Sequence, residues 1–446
     1  MPLLHAVPKE AEEEGVALSE VDDRLLRAAF GRYGGGLAER SRAAEVVAHY
    51  QQMGAGMWFA CACRPDGRRG RLVPVAQSYI RRRTGACWPE HDETCDFYRD
   101  PSEQLEIVRT YTRIAATGPL RLAGPFSDGK RALDRSFIGA SKVRSRPGLA
   151  KLLALLVDKA ELQIVPPGGR FGLLSEQFAA VRRASEGVFL DSRARLRDFS
   201  TTFPKALDNL VFRIDTARPG IFTRNRPHGV LITPLEAVRE GELLPFSSAP
   251  IPVRGRISVF GEKAGGAGRS AAGARAPYLA ACLVGRAAEN GPIEVLSAYV
   301  HPCVAKHHLM LVDSNFERLT LERLLGLQGW LQRKHGIEVT IEKPVFDVGP
   351  YANEADPVGR SVCIPDFVLR AAPAANVACE TVIVETMGFD DEDYRVRKQR
   401  THATMRAAYG GAPLVTHDLA GSDRDAEQRE FGRAVARTIL GSGGRR

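Results

Sequence analysis

The stretch VCIPDFVL, Val362 to Leu369, and the stretch TVIVETM, Thr381 to Met387, decide how the C-terminal third of this chain is read. Each is a short, largely apolar run that reads as a strand. Each also carries one carboxylate, Asp366 after Pro365 in the first and Glu385 in the second. Working outward, Leu319 to His335 is amphipathic and ends at Gly336, which predicts a helix. Ile337 to Val348 alternates through Val339 and Ile341 and predicts a further strand. Asp390 to Tyr409 predicts a charged helix, opened by Asp390, Asp391 and Asp393, which suit a helix N-terminus, and closed by Gly410 and Gly411. Leu414 to His417 is a last strand and Arg424 to Leu440 a last helix, so the order is helix, three strands, helix, strand.

Two carboxylates brought to the mouth of adjacent strands form a hard-oxygen site of the kind Mg²⁺ prefers. Such an ion activates water and neutralises charge on a phosphodiester under attack. The element order, with Pro365-Asp366 followed by Glu385, resembles the PD-(D/E)XK, or restriction-endonuclease-like, nuclease superfamily. The resemblance implies Mg²⁺ or Mn²⁺ on Asp366 and Glu385 and hydrolysis of DNA phosphodiester bonds. The family pattern places Lys two residues after Glu385, where this chain has Met387. Some members carry that lysine on the following helix, and at helical spacing Tyr394, Lys398 and His402 share one face. The resemblance therefore assigns Lys398 to the water or scissile phosphate, and Tyr394 and Arg397 to phosphate contacts. Glu322, on the first helix, is a further candidate carboxylate.

Cysteines mark a second candidate site. Cys61-Ala-Cys63 is followed by Cys87, His91 and Cys95, more soft ligands than a tetrahedral zinc needs. The reading is a structural Zn²⁺ on Cys61, Cys63, His91 and Cys95, with Cys87 as the rival to His91. Arg81, Arg82 and Arg83 lie between the pairs and suit phosphate contact. This segment, Met57 to Tyr98, resembles uncharacterised bacterial, plasmid-associated proteins with a CxC pair, an Arg-rich stretch and an HxxxC pair, a resemblance that carries no activity.

The remainder sets the frame. The chain has 446 residues, 44% hydrophobic and 26% charged, which describes a globular protein of two or three packed units. Its 62 Lys and Arg against 53 Asp and Glu leave a net charge of +9, favouring an acidic partner, nucleic acid first. No apolar run reaches the ~18 residues of a membrane span, and Met1 to Glu14 lacks the pattern of a signal peptide. Cytoplasmic residence is the expectation.

We expect an α+β multidomain chain. Residues 1–118 hold helices at Val21 to Phe30, Leu37 to Gln52 and Glu103 to Ala116 with the zinc module. Residues 119–252 are mainly helical, with Gly148 to Leu162, Leu173 to Ala184 and Ser192 to Leu210 as elements. Residues 253–312 are β-rich, interrupted by a mobile loop at Ala264 to Ala276, and His301, His307 and His308 read as solvated or packing histidines. Residues 313–446 form the nuclease-like domain. The function expected is a Mg-dependent endonuclease associated with a plasmid or mobile element. The alternative is a non-catalytic DNA-binding accessory protein.

Overall fold

A computed structural model of the chain describes residues 3–8, 15–31, 37–52, 57–75, 79–83, 91–92, 94–98, 111, 113, 147–169, 171–260, 275–349, 363–388, 392–419 and 424–441. The expected helix at Glu103 to Ala116, but for Tyr111 and Arg113, and most of the loop at Ala264 to Ala276 lie outside these residues. The described residues form two compact units, one within Met1–Arg109 and a larger one within Arg146–Ala352 and Val362–Arg446, with Tyr111 and Arg113. Among them no helix is long and apolar enough to cross a membrane.

The first unit holds β1 (Leu4–Pro8), β2 (Val16–Ala17), α1 (Glu20–Phe30), α2 (Leu37–Gln52), β3 (Met57–Cys61), β4 (Gly70–Val75) and β5 (Tyr79–Arg83). The strands form an antiparallel sheet in the order β2-β1-β3-β4-β5. Ser19 caps α1, its Oγ accepting from the Asp22 amide at 3.1 Å. Asp23 ties that helix to the sheet by accepting from the Leu4 amide at 2.9 Å. Leu4, Leu26, Val47, Phe59 and Leu72 make the core between them. Both expected helices are present, but the sheet they cover goes beyond the helical region expected.

The second unit opens with α3 (Gly148–Lys159), β6 (Ile164–Val165), α4 (Leu174–Ala184), β7 (Ser200–Thr201) and α5 (Leu207–Asp215). Strands β8 (His228–Arg239), β9 (Glu242–Pro245), β10 (Ile251–Pro252), β11 (Ile257–Val259), β12 (Tyr278–Arg286), β13 (Ile293–Ala305) and β14 (His308–Leu311) follow. They form one sheet, β10-β9-β8-β12-β13-β11, with β7 beside β8 and β14 beside β13. The Leu152, Leu153 and Leu156 stripe of α3 is buried in the core that also takes in Val230, Ile232 and Leu283. The helix expected over Ser192 to Leu210 is instead two 3₁₀ turns around β7, and α5 begins only at Leu207. The reason is Pro204, which holds Phe203 extended and excludes helix before it. His301 stacks on Phe260 with ring centroids 4.2 Å apart, and His308 is buried against Phe171, both packing histidines; His307 is exposed.

The C-terminal part continues with α6 (Asn315–His335), β15 (Val339–Glu342), β16 (Phe367–Ala371), β17 (Thr381–Met387), α7 (Glu392–Ala408), β18 (Leu414–Asp418) and α8 (Arg424–Leu440). The sheet order is β18-β17-β16-β15-β6, antiparallel except for the parallel pair β17 and β18. Ser314 caps α6 at its start, and Gly336, in the left-handed region at φ 67°, ends it. Phe431, Val435 and Ile439 line α8 at four-residue steps and join Leu321, Leu324, Phe367 and Val384 in the core. Helix, three strands, helix and strand are all in place. The edge strand β6 is an addition drawn from much earlier in the chain.

Candidate active site and metal centre

Asp366 stands immediately before β16 and Glu385 on the neighbouring β17, which the antiparallel pairing of Phe367 with Val384 sets side by side. Two backbone hydrogen bonds lock them: the Asp366 amide donates to Glu385 Oε1 at 2.9 Å, and the Thr386 amide donates to Asp366 Oδ2 at 2.7 Å. Lys398, from α7, reaches back to both carboxylates. Its Nζ lies 2.5 Å from Glu385 Oε2 and 3.6 Å from Asp366 Oδ2. His402, one helical turn on, lies 3.9 Å from the same Glu385 oxygen.

Glu385 is fully buried and Asp366 nearly so. Burial, with Asp366 as a second negative charge, pushes the Glu385 carboxyl up to about 7, against the pull of Lys398. The imidazole of His402 moves the other way, lowered by burial and by Lys398. Two carboxylates held at this spacing, one close to neutrality in its proton affinity, form a hard-oxygen donor set that fits a divalent cation.

Two elements extend the cluster beyond the residues picked out by sequence. Glu317, in the first turn of α6, is buried, and its Oε2 accepts from the Asp313 amide at 2.9 Å and meets Lys343 Nζ at 3.0 Å. Burial raises the Glu317 carboxyl above its ordinary range, while Lys343 opposes this and the Asp313 and Asp366 charges add to it. Glu322 is exposed, so the carboxylate that α6 contributes is Glu317. The Ser314-to-Glu317 spacing of a capping box was the available signal for it. Behind β17, Thr320 Oγ1 is 2.9 Å from Thr386 Oγ1 and 2.8 Å from His417 Nδ1, and the His417 ring stacks on Phe431. Met387 is buried on the same face of β17 as Glu385.

In the first unit, Cys61, Cys63, His91 and Cys95 converge, with one ligand atom from each lying within 4.8 Å of the others. Cys61 Sγ is 3.7 Å from Cys95 Sγ, and His91 Nδ1 is 3.5 Å from both Cys63 Sγ and Cys95 Sγ. A zinc tetrahedron with sulfur arms of about 2.3 Å and a nitrogen arm of about 2.0 Å has edges of about 3.8 Å and about 3.5 Å. The Asp92 amide donates to Cys63 Sγ at 3.4 Å, as thiolate ligands commonly require. The hydrogen bond from Cys61 pulls the Cys95 thiol down to about 4, against burial, while the same contact and burial push Cys61 up. The rival ligand Cys87, and the side chains of Arg81, Arg82, Arg83, Tyr394 and Arg397, lie outside the described residues.

Three stretches of the chain match known families. Residues 4–101 and 118–303 match two domains of unknown function, DUF8534 and DUF8535. An Escherichia coli protein, "Uncharacterized protein in cib 5'region", is 38% identical over 157 residues, 35% of this chain and 66% of that protein. The chain thus spans just under two thirds of that relative's length. No solved structure matches the chain. Residues 313–440 match the family model of the restriction endonuclease-like C-terminal domain, so the part of the chain that carries Asp366, Glu385 and Lys398 is a domain of that family.

Proposed function

We propose that the chain is a divalent-metal-dependent endonuclease that hydrolyses DNA phosphodiester bonds with its C-terminal domain. The observation that carries this reading is the convergence of Asp366, Glu385 and Lys398 at the junction of β16, β17 and α7. A Mg²⁺ or Mn²⁺ ion held by Asp366 and Glu385 would supply an activated water and offset charge on the phosphate. Lys398 is the cation that orients the water or binds the scissile phosphate, having exchanged Glu385 for substrate. His402 flanks the same oxygen at 3.9 Å. Tyr394 and Arg397 add phosphate contacts from the same helix, and a formal charge of +9 favours a polyanion.

We read the first unit as a zinc module on Cys61, Cys63, His91 and Cys95, with Arg81, Arg82 and Arg83 touching the nucleic acid backbone. Three edges of the cluster match the lengths of a zinc tetrahedron, which supports zinc over a chance cluster of thiols.

The deciding experiment incubates purified protein with supercoiled plasmid and labelled single strands, with Mg²⁺, Mn²⁺ or EDTA, beside Asp366→Ala. Metal-dependent nicking that is lost in the variant is the expected result. Binding without cutting in both proteins would overturn catalysis and favour the reading suggested by Met387, a DNA-binding accessory protein on a nuclease fold. We also infer a link to a plasmid or mobile element, from the resemblance of the N-terminal segment.

A further inference from the structure

Lys343 directly follows β15, and its side chain is almost wholly buried. Its backbone amide is fixed by the Gln163 carbonyl at 2.8 Å, and its Nζ stands 5.9 Å from the centre of the Phe367 ring, beside Asp366. The ammonium lies 3.0 Å from Glu317 Oε2 and 3.9 Å from Asp313 Oδ2. Asp313 is in turn 3.4 Å from His301 Nε2. The charged side chains therefore form two clusters, each with a lysine between two carboxylates: Lys343 between Asp313 and Glu317, and Lys398 between Asp366 and Glu385.

A buried ammonium persists only where carboxylates compensate it, and Glu317 and Asp313 do so here. Burial, which disfavours the charged lysine, is outweighed first by Glu317 and then by Asp313 and Asp366. A dication on Glu317 would face this fixed charge at contact distance with no solvent to screen it. We propose that Lys343 is a built-in cation of the nuclease site, engaging Glu317 and occupying the place of a second divalent ion, so that the centre takes one ion, on Asp366 and Glu385. This rests on the nuclease reading. It makes Lys343 a positioning residue, acting through Glu317 on the charge balance of the site.

Manganese is the probe, because thiolates at the N-terminal cluster are poor ligands for it. Titration of the full-length, zinc-replete chain, followed by calorimetry and by the spin-resonance signal of free Mn²⁺, is expected to give one Mn²⁺ per chain, lost in Asp366→Ala. Lys343→Met removes the ammonium facing Glu317, and the stoichiometry rises to two, falling back to one in Lys343→Met/Glu317→Gln. Two ions in the wild type, or one in Lys343→Met, would overturn the inference and leave the nuclease reading intact. No Mn²⁺ in the wild type would overturn both. Glu317→Gln alone is a second measurement that spares the buried lysine: Mn²⁺ affinity should stay within about threefold, whereas a loss of about tenfold or more makes Glu317 a ligand and refutes the proposal.

Discussion

Replacing Lys398 by Met tests the charge balance of the site more directly than removing a carboxylate. The ammonium lies 2.5 Å from Glu385, which is fully buried, and 3.6 Å from Asp366. Removing one partner of a buried ion pair costs about 3–5 kcal/mol, because the remaining charge stays buried without compensation. Lys398 retains some exposure and Glu385 can relieve the loss by taking a proton, so the lower end, about 3 kcal/mol, is expected. In the absence of metal, hydrogen exchange at the Asp366 and Thr386 amides, both bonded to these carboxylates, should quicken by about two orders of magnitude. Saturating Mn²⁺ should restore most of the protection, since a cation replaces the one removed, and the variant should bind Mn²⁺ more tightly than the wild type while cutting DNA at least about a hundredfold more slowly. Unchanged exchange without metal, or weaker Mn²⁺ binding in the variant, would refute the view that Lys398 and the metal compete for the same carboxylates.

Three further outcomes follow from the contacts. Cys61→Ser should lower zinc from one per chain to less than half, read by metal analysis, because it removes one of the three buried corners of the tetrahedron. Thr320→Val deprives buried His417 of its 2.8 Å partner and should cost about 1–3 kcal/mol, read by chemical denaturation. Burial lowers His417 to about 4 and His308 to about 3, so their ring resonances should hold still from pH 7.5 to 5.5. The sign follows from the depressed values. The stability these rings carry is complete above about 6.5 and is lost as pH falls through about 4 and then about 3.

What the sequence disclosed depended on whether a signal was local. The strand at Thr381–Met387 was legible because it is apolar and bounded, and Lys398 because helical spacing places it with His402 on one face. The Ser314-to-Glu317 spacing is equally local, yet composition along an amphipathic helix does not say which carboxylate, Glu317 or Glu322, faces the sheet. Lys343 carries no local mark at all. Its meaning lies in Glu317, on a different element, and in Gln163, which reaches β15 only through sheet pairing. The first unit hid its sheet for a related reason: β1, β2 and β3 are short, and the two helices stand between β2 and β3, so the pairing of β1 with β3 is a tertiary fact.

The match to the restriction endonuclease-like family begins at residue 313, but the sheet that builds the site does not end there. Ile164 and Val165 pair with Glu342 and Ile341 at the edge of that sheet, and the Gln163 carbonyl holds the amide of Lys343. Gln328 on α6 donates to both the Pro166 and Val339 carbonyls, tying the helix that bears Glu317 to the same edge. Without residues 163–166, β15 would expose unpaired backbone groups, and Lys343 would lose the bond that sets its direction. The region matched by DUF8535 thus contributes the support of Lys343, while the carboxylates and Lys398 come from the nuclease-like domain. The two stretches of sequence meet in one sheet, because β15 needs β6 to pair its backbone at that edge.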